Sequence, residues 1–297
     1  STATRTAVPA VLSRRPVLRL DGTADPEAEP SLVGAFAEAG YATHWFSNQS
    51  PLGSHDTAIG LYARAAQDVR FMNPSTYDRR GAYDAALLEP LRQALHGSEP
   101  QFIVLHLLGS HFDYVQRYPA EFEYFGTPID RSEGANVGTK NSDAIRVNNA
   151  YDNSIRYTDY ILGEILDAVN GTGKSAVVAY FSDHGVDPAV GACGSQAGQR
   201  RSEAAYRVPA FIWLSDDLRK RNVVDWEKMQ RNANQPYMTP AFYSSLLQLA
   251  GIEVRAGLDK GSFLRGPDAG ARRMVYGNGR MVDFDAALKT NNCVIAE

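Results

Sequence analysis

The sequence contains two continuous apolar runs, each followed by polar residues, and these runs constrain the fold more than any other feature. Residues 176–182 are followed directly by Asp183 and His184, and residues 102–108 are followed, after a Gly-Ser turn, by His111. Runs of this length and composition are typical of strands that are buried on both faces of a parallel sheet. Because open α/β sheets bind ligands at the carboxyl ends of their strands, both runs predict functional residues at a sheet edge.

The Asp183-His184 pair is a candidate metal site, since a carboxylate oxygen and an imidazole nitrogen are both common zinc ligands. The same dipeptide is also common on protein surfaces and in caps, so by itself it leaves both interpretations open. His106 lies inside the second apolar run and is interpreted as a hydrogen-bonded core histidine. His111 follows the turn, and we expect it to lie outside the core with a functional role.

The first residues of the chain are polar and precede a short apolar stretch. This pattern indicates a helix with a threonine as its N-cap residue. A threonine hydroxyl becomes a nucleophile only when its pKa is lowered, and coordination to a metal ion is one way of lowering it.

The rest of the chain alternates strand and helix patterns, which favours an α/β fold with a largely parallel sheet. The patterns predict helices over residues 30–40, 82–96, 147–169 and 240–250, and strands over residues 41–46 and 275–277. Residues 126–143 are polar and rich in glycine and are predicted to form a mobile loop. Residues 52–74 are predicted to form a loop or a short helix.

Composition sets broader limits on function. The chain has 297 residues, of which 44% are hydrophobic and 22% are charged, as expected for a globular protein. The net charge of -4 gives no indication of nucleic-acid binding. There is no apolar stretch near the roughly 20 residues of a membrane span, and no initiator Met or signal peptide, so we expect a piece of a longer protein. The two cysteines, Cys193 and Cys293, leave a single disulfide open.

Several motifs, in this order along the chain, resemble those of the phosphoethanolamine transferases of the alkaline phosphatase and sulfatase superfamily. The segments that carry the resemblance are Thr-Ala-Thr at residues 2–4, the helix-to-strand element at residues 30–49 that ends in Ser-Asn-Gln, the segment from His106 to Pro119, the Tyr-Asp-Asn helix at residues 151–159, Ser-Asp-His-Gly at residues 182–185, and the Val-Pro strand at residues 208–213. Together they cover nearly the whole chain, and they are most similar to the branch that modifies the lipopolysaccharide core heptose.

The resemblance implies a fold and a set of site residues. The fold would be an alkaline phosphatase-like α/β/α sandwich with a largely parallel central sheet, forming one catalytic sulfatase-like domain over residues 1–297. The implied metal ligands are Thr4, Asp183 and His184, with zinc as the metal and Mn²⁺ or Mg²⁺ as alternatives. The implied catalytic residues are Thr4, the nucleophile, and His111, and the residues expected to bind substrate are His111, Tyr114 and Arg117. Thr6 is the alternative nucleophile if the register is shifted by two positions.

The function implied by the resemblance is transfer of phosphoethanolamine from phosphatidylethanolamine to lipopolysaccharide or another surface glycan, through a phosphothreonine intermediate. This would take place at the periplasmic face of the bacterial inner membrane, and an N-terminal region would provide the membrane contact. Two alternatives stay open. One is a phosphoglycerol transferase or phosphodiesterase of the same superfamily, and the other is a non-catalytic regulatory domain with the same fold.

Three departures from the family pattern bear on catalysis. The family has a metal-binding Glu on a strand before the nucleophile, and this strand is expected to precede Ser1. Val186 stands where the family usually has Glu, and residues 192–198 contain no His where the family has one. Either the alignment is shifted there, or Cys193 or Gln196 replaces that ligand, or catalysis is altered.

Overall fold

The computed structural model describes most of the chain. The described residues are 1–16, 19, 23–51, 57–73, 81–126, 141–187, 202–254, 261–268, 270–277, 280–288, 293 and 295. Their α-helices are α1 (Thr4–Leu12), α2 (Leu32–Glu38), α3 (Thr57–Ala63), α4 (Leu88–Leu95), α5 (Asn141–Asn170), α6 (Glu203–Tyr206), α7 (Asp216–Lys220), α8 (Trp226–Ala233), α9 (Ala241–Leu249) and α10 (Phe284–Leu288). Their strands are β1 (Ala42–Ser47), β2 (Asp68–Phe71), β3 (Gln101–His106), β4 (Val177–Phe181), β5 (Ala210–Leu214), β6 (Met274–Gly277) and β7 (Arg280–Asp283).

The described strands form three sheets. A parallel sheet has the order β2-β1-β3, and its register places Ser47 of β1 between Phe71 of β2 and His106 of β3. Strands β4 and β5 pair in antiparallel fashion, and so do β6 and β7. The parallel sheet with its surrounding helices confirms the predicted α/β class.

The largest apolar core forms where helices α1, α2, α3 and α9 pack around strand β1. Trp45 of β1 is 1% exposed, and Phe36 of α2 stacks on Phe102 of β3 with ring centroids 4.1 Å apart. A second core lies between α4, α5 and β3 and includes Val178 of β4. Both ends of the chain therefore contribute to the layers that enclose the parallel sheet.

Helix α2 follows the prediction closely because its capping residues are visible in the sequence. The Ser31 side chain accepts a hydrogen bond from the Gly34 backbone N–H, which satisfies one of the free donors of the first turn. At the other end Gly40 has φ 86°, the left-handed conformation that ends many helices and that glycine adopts without strain.

Other boundaries differ from the prediction. Helix α5 begins at Asn141, six residues before the predicted start, so the last part of the predicted loop is helical. Residues 127–140 of that loop lie outside the described residues. Strand β2 was missed within residues 52–74, because a four-residue strand with alternating charges carries little periodic signal. The predicted helix over 82–96 is a 3₁₀ turn, Asp84–Leu87, followed by α4.

Strands β3 and β4 are less buried than predicted. Every residue of both strands is partly exposed, although the sequences Gln-Phe-Ile-Val-Leu-His and Val-Val-Ala-Tyr-Phe suggest complete burial. Within the described part of the chain, each strand is the edge of its own sheet. The prediction of strands fully buried on both faces is therefore wrong for β3 and β4 in the described part of the chain.

Two observations concern the wider context. Of the helices described, none is both long and apolar enough to cross a membrane.

Cys293 is disulfide-bonded, and the sequence has one other cysteine, Cys193, which lies outside the described residues. A disulfide in a protein of this size is typical of an oxidising compartment.

Candidate active site

Thr4 begins helix α1 and faces the end of strand β4. Its Oγ1 donates a hydrogen bond to Asp183 Oδ2 and lies 3.5 Å from His184 Nε2. The N-cap is Ala3, in an extended conformation and without a side-chain cap, so the predicted threonine N-cap is wrong. The Thr4 hydroxyl contacts Asp183 across 179 positions of sequence instead of capping its own helix.

Asp183 and His184 lie just past the end of strand β4, as predicted, with Ser182 between the strand and Asp183. The Asp183 Oδ1 atom accepts a hydrogen bond of 2.9 Å from the His184 backbone N–H, which fixes the carboxylate beside the imidazole. Gly185 is required next, because a Cβ there would lie 2.1 Å from the Ala204 carbonyl oxygen. The chain therefore turns tightly against α6 directly after the two candidate ligands.

The donor set at this point fits a zinc ion. His184 Nδ1 lies 2.8 Å from the Gly185 carbonyl oxygen, which can only accept, so Nδ1 carries a proton. Metal-binding histidines are commonly oriented by such a bond, which leaves the other ring nitrogen available as a ligand. Here His184 Nε2 faces Thr4 Oγ1 and lies 3.6 Å from Asp183 Oδ2. One imidazole nitrogen, one carboxylate oxygen and one hydroxyl thus converge.

These three groups alone do not provide all the protein ligands of a structural or catalytic zinc site. The described residues contain no group of three or more His, Cys, Asp or Glu side chains placed to hold a metal ion. Cys193 and Gln196, the candidate replacements for the family's loop histidine, lie outside the described residues. Val186 is partly buried, and its side chain offers no metal-binding atom.

His106 lies at the carboxyl end of β3 and is a hydrogen-bonded histidine, as predicted. Its Nδ1 is 3.0 Å from Ser47 Oγ on the neighbouring strand, and its ring lies 5.8 Å from that of Trp45. Burial lowers the pKa of His106 to about 4, although the nearby Asp183 carboxylate raises it. His106 is therefore neutral at neutral pH, and its interaction with Asp183 places the ends of β3 and β4 close together.

His111 lies in the loop after β3 and is partly exposed, which agrees with its predicted place outside the core. Its Nδ1 donates a hydrogen bond to the Phe112 carbonyl oxygen. Arg117 is 5% exposed, and its Nε donates to the His111 carbonyl oxygen at 2.9 Å. The buried guanidinium thus fixes the backbone at His111.

Tyr114 packs against Tyr151 of helix α5. Its ring centroid is 5.1 Å from that of Tyr151 on α5. Burial raises the pKa of Tyr151, and Asp152 adds to this effect. Burial also raises the pKa of Tyr180 at the end of β4, where Asp183 and Tyr151 act in the same direction. Tyr114 therefore contacts Tyr151, which acts electrostatically on Tyr180 near Asp183.

The motif Ser-Asn-Gln, which begins at the last residue of β1, fixes the neighbouring end of β3. The Asn48 backbone N–H donates to the His106 carbonyl oxygen at 2.9 Å, and Gln49 Nε2 donates to the Leu107 carbonyl oxygen at 2.8 Å. These bonds continue the pairing of β1 and β3 beyond the last strand residues. They fix the position at which the chain leaves β3 toward His111.

The contacts of two buried carboxylates were not predicted from the sequence. Asp84, in the 3₁₀ turn before α4, accepts hydrogen bonds from the backbone N–H groups of Leu108 and Gly109. Asp187 accepts a hydrogen bond from Ser202 Oγ and joins the two ends of a long segment after β4. Neither carboxylate stands in a motif with metal-ligand spacing, and both partners are remote in sequence.

The geometry of Thr4 with Asp183 and His184 is accompanied by a family match over most of the chain. The sulfatase family model matches residues 1–252. The chain belongs to the sulfatase family. The predicted resemblance to phosphoethanolamine transferases is also confirmed, because several curated relatives carry that name.

Two of these relatives come from Escherichia coli strain K12. Phosphoethanolamine transferase EptC is 24% identical to this chain over 228 residues, which are 75% of the chain and 38% of the relative. Phosphoethanolamine transferase OpgE is 30% identical over 235 residues, which are 77% of the chain and 40% of the relative. The chain therefore spans about two fifths of the length of these curated relatives.

Solved structures have the same fold. The C-terminal periplasmic domain of EptC from Escherichia coli, in complex with zinc, superposes with a TM-score of 0.81 at 22% identity and covers 98% of this chain and 81% of that chain. The soluble domain of lipooligosaccharide phosphoethanolamine transferase A from Neisseria meningitidis gives 0.70 at 20% identity, covering 89% and 78% respectively. These likenesses confirm the alkaline phosphatase-like architecture predicted for this sulfatase family member.

Proposed function

We propose that the protein is a zinc-dependent phosphoethanolamine transferase that acts through a covalent intermediate on Thr4. The observation that carries this proposal is the contact of Thr4 Oγ1 with both Asp183 Oδ2 and His184 Nε2. A threonine hydroxyl in ordinary solution is a weak nucleophile, and here it lies beside two groups that bind metals. Thr6, the alternative nucleophile, instead donates its hydroxyl proton to the Ala3 carbonyl oxygen at 3.0 Å.

Thr4, Asp183 and His184 would hold the zinc ion, and zinc is also the metal of the EptC domain complex. When bound, zinc supplies Lewis acidity that favours loss of the Thr4 hydroxyl proton and neutralises charge on a phosphoryl group. Asp183 contributes a negative charge that attracts the ion, and the His184 ring is held in the required tautomer by Gly185.

The reaction would proceed in two balanced displacements. Thr4 Oγ1 loses its proton and bonds to the phosphorus of phosphatidylethanolamine, while the bond from phosphorus to the diacylglycerol oxygen breaks and that oxygen takes up a proton. In the second step a hydroxyl or phosphate oxygen of a lipopolysaccharide or glycan acceptor bonds to the same phosphorus, while the bond from phosphorus to Thr4 Oγ1 breaks. Thr4 Oγ1 takes up the proton that an acceptor hydroxyl releases, or one from water when a phosphate oxygen attacks. Phosphoryl transfer of this kind depends mainly on positioning and charge neutralisation.

His111 and Tyr114 would act on the substrate from the β3 side. We propose that the partly exposed His111 binds the transferred phosphate or protonates the leaving oxygen, and that Tyr114 lines the same side. Arg117 was predicted to bind substrate directly. Its buried guanidinium bonds to the His111 carbonyl oxygen, so we propose that its contribution reaches the substrate through His111.

The longer protein would complete the site. Strands β3 and β4 each have an edge without a paired strand in the described part of the chain, and their apolar residues are partly exposed. Thr4 contacts Asp183, so a segment that precedes Ser1 would reach α1 beside the site. We propose that a strand before Ser1 supplies the missing Glu ligand, and that a further N-terminal region contacts the inner membrane at its periplasmic face.

A donor assay on the full-length protein tests the proposal. Zinc-loaded protein is incubated with vesicles that contain head-group-labelled phosphatidylethanolamine or phosphatidylglycerol, together with lipopolysaccharide. We expect diacylglycerol release and labelled lipopolysaccharide from phosphatidylethanolamine, loss of both in Thr4→Ala, and retention in Thr6→Ala.

Each other outcome identifies an alternative. Transfer from phosphatidylglycerol would indicate a phosphoglycerol transferase, and release of the head group into water without labelled acceptor would indicate a phosphodiesterase. Absence of turnover with both donors in the zinc-loaded protein would favour a regulatory domain that keeps the fold, consistent with Val186 at a position where the family usually has Glu.

A further inference from the structure

The loop after β3 is held by a buried carboxylate, which accepts hydrogen bonds from main-chain and amide donors. Asp84 is 3% exposed. Its Oδ1 accepts hydrogen bonds of 2.9 Å from Leu108 N and from Asn48 Nδ2, and its Oδ2 accepts one of 2.8 Å from Gly109 N. Gly109 has φ 56°, so the chain reverses at the point where the carboxylate holds it.

The other end of the same loop is held by a buried positive charge. Arg117 Nε donates to the His111 carbonyl oxygen at 2.9 Å, and its Nη2 donates to the Phe112 carbonyl oxygen at 3.4 Å. Asp84 and Arg117 also attract each other electrostatically. The four residues from Gly109 to Phe112, with His111 among them, therefore lie between two opposite buried charges.

Burying these two groups costs free energy of folding, so their contribution lies in the geometry that they fix. Burial raises the pKa of Asp84, whereas the hydrogen bonds from Leu108, Asn48 and Gly109 lower it. A buried ion pair often stabilises a protein less than apolar residues of similar volume would. Here the two groups fix the orientation of the loop, since their hydrogen bonds go to the backbone on either side of His111.

We propose that Asp84 is a positioning residue for His111, acting with Arg117 to fix the loop that presents the imidazole to the transferred phosphate. This inference rests on the proposed function of His111. Asp84 touches neither substrate nor metal in this account and acts only through the backbone of Leu108 and Gly109.

A double-mutant cycle in the full-length protein tests this role. In Asp84→Asn the side chain keeps its size, but its NH₂ group must face at least one of the N–H donors, so a hydrogen bond is lost. We expect kcat for phosphoethanolamine transfer to fall roughly tenfold to a hundredfold with little change in KM, as for small displacements of a reacting group. Adding Asp84→Asn to His111→Ala should then cause little further loss, because Asp84 acts only through the position of His111.

Asp225→Asn is the matched control. Asp225 also accepts a backbone N–H, that of Lys228 at 2.8 Å, but it caps α8 after β5. Since β5 runs antiparallel to β4, its carboxyl end lies at the opposite edge from Asp183. This variant should leave kcat and KM unchanged. If Asp84→Asn does not fold, Arg117→Lys is used in the same cycle, because a lysine cannot reproduce the planar two-bond contact.

A second readout does not depend on activity. In protein with ¹³C-labelled histidine, the His111 signal is assigned by its loss in His111→Ala. We expect it to shift or broaden in folded Asp84→Asn and to stay in place in Asp225→Asn. An unchanged His111 signal in folded Asp84→Asn, or kinetic effects of the two substitutions that multiply, would overturn the proposal. If wild type shows no transfer, the proposed function fails, and the His111 signal alone decides the positioning role.

Discussion

The neutral side chain of His106, at the carboxyl end of β3 near Asp183, makes the free energy of unfolding dependent on pH. Its pKa is lowered from the ordinary value of 6.5 to about 4, mainly by burial. The unfolded chain therefore binds about one more proton than the folded protein between these pH values. The contribution to stability is fully present above pH 6.5 and is lost as the pH falls to about 4. At about 1.4 kcal/mol per pKa unit, the loss amounts to about 3 kcal/mol.

Urea denaturation at several pH values from 7 to 4, in the presence of EDTA to remove metal ions, measures this contribution. In His106→Asn the amide still reaches the Ser47 hydroxyl, which the imidazole Nδ1 contacts at 3.0 Å. We expect the free energy of unfolding of this variant to fall by about 2–3 kcal/mol less than that of wild type over the same range. His96→Asn, the same change at an exposed histidine, controls for the loss of a histidine as such. Equal pH dependence in His106→Asn and wild type would refute the reasoning.

Three further predictions concern the metal and the core. Asp183→Asn should lower zinc affinity of the full-length protein by at least roughly tenfold, measured by competition with a chromogenic chelator, whereas Asp217→Asn after β5 should not; equal affinities would remove Asp183 from the metal site. Leu247→Ala should lower the free energy of unfolding by about 2–5 kcal/mol in urea denaturation, because this side chain is 0% exposed. Leu246→Ala, at the neighbouring and partly exposed position, should lower it clearly less, and the reverse order would contradict the packing. Ser31→Ala should cost about 1 kcal/mol through loss of the cap on Gly34, and a neutral effect would mean that the cap contributes nothing.

The parts of the fold that the sequence predicted are those with local signals. Gly40, a local signal in the sequence, ends the predicted helix in the left-handed conformation, and the apolar run before Asp183 ends one residue after strand β4. Strand β2 has four residues and no such signal, and it exists because β1 pairs with it. Its formation depends on contacts that a local pattern does not contain.

The candidate site divides in the same way. Asp183 and His184 could be predicted because they follow an apolar run, and their contact with Thr4 followed from a resemblance and not from spacing. Asp84 could not be predicted, because its role depends on Leu108 and Gly109, which lie 24 and 25 positions away. The buried position of Arg117 was missed for a related reason, since arginine in a loop after a strand is more often exposed.

The central claim is that Thr4 carries the transferred group, and mass spectrometry of acid-quenched full-length protein tests it most directly. Trypsin cleaves after Arg5, so Thr4 and Thr6 fall on different peptides. After incubation with zinc and phosphatidylethanolamine, without acceptor, we predict phosphoethanolamine on the peptide that ends at Arg5, in wild type and Thr6→Ala but not in Thr4→Ala. An adduct on the Thr6 peptide, or one that persists in Thr4→Ala, would contradict the account.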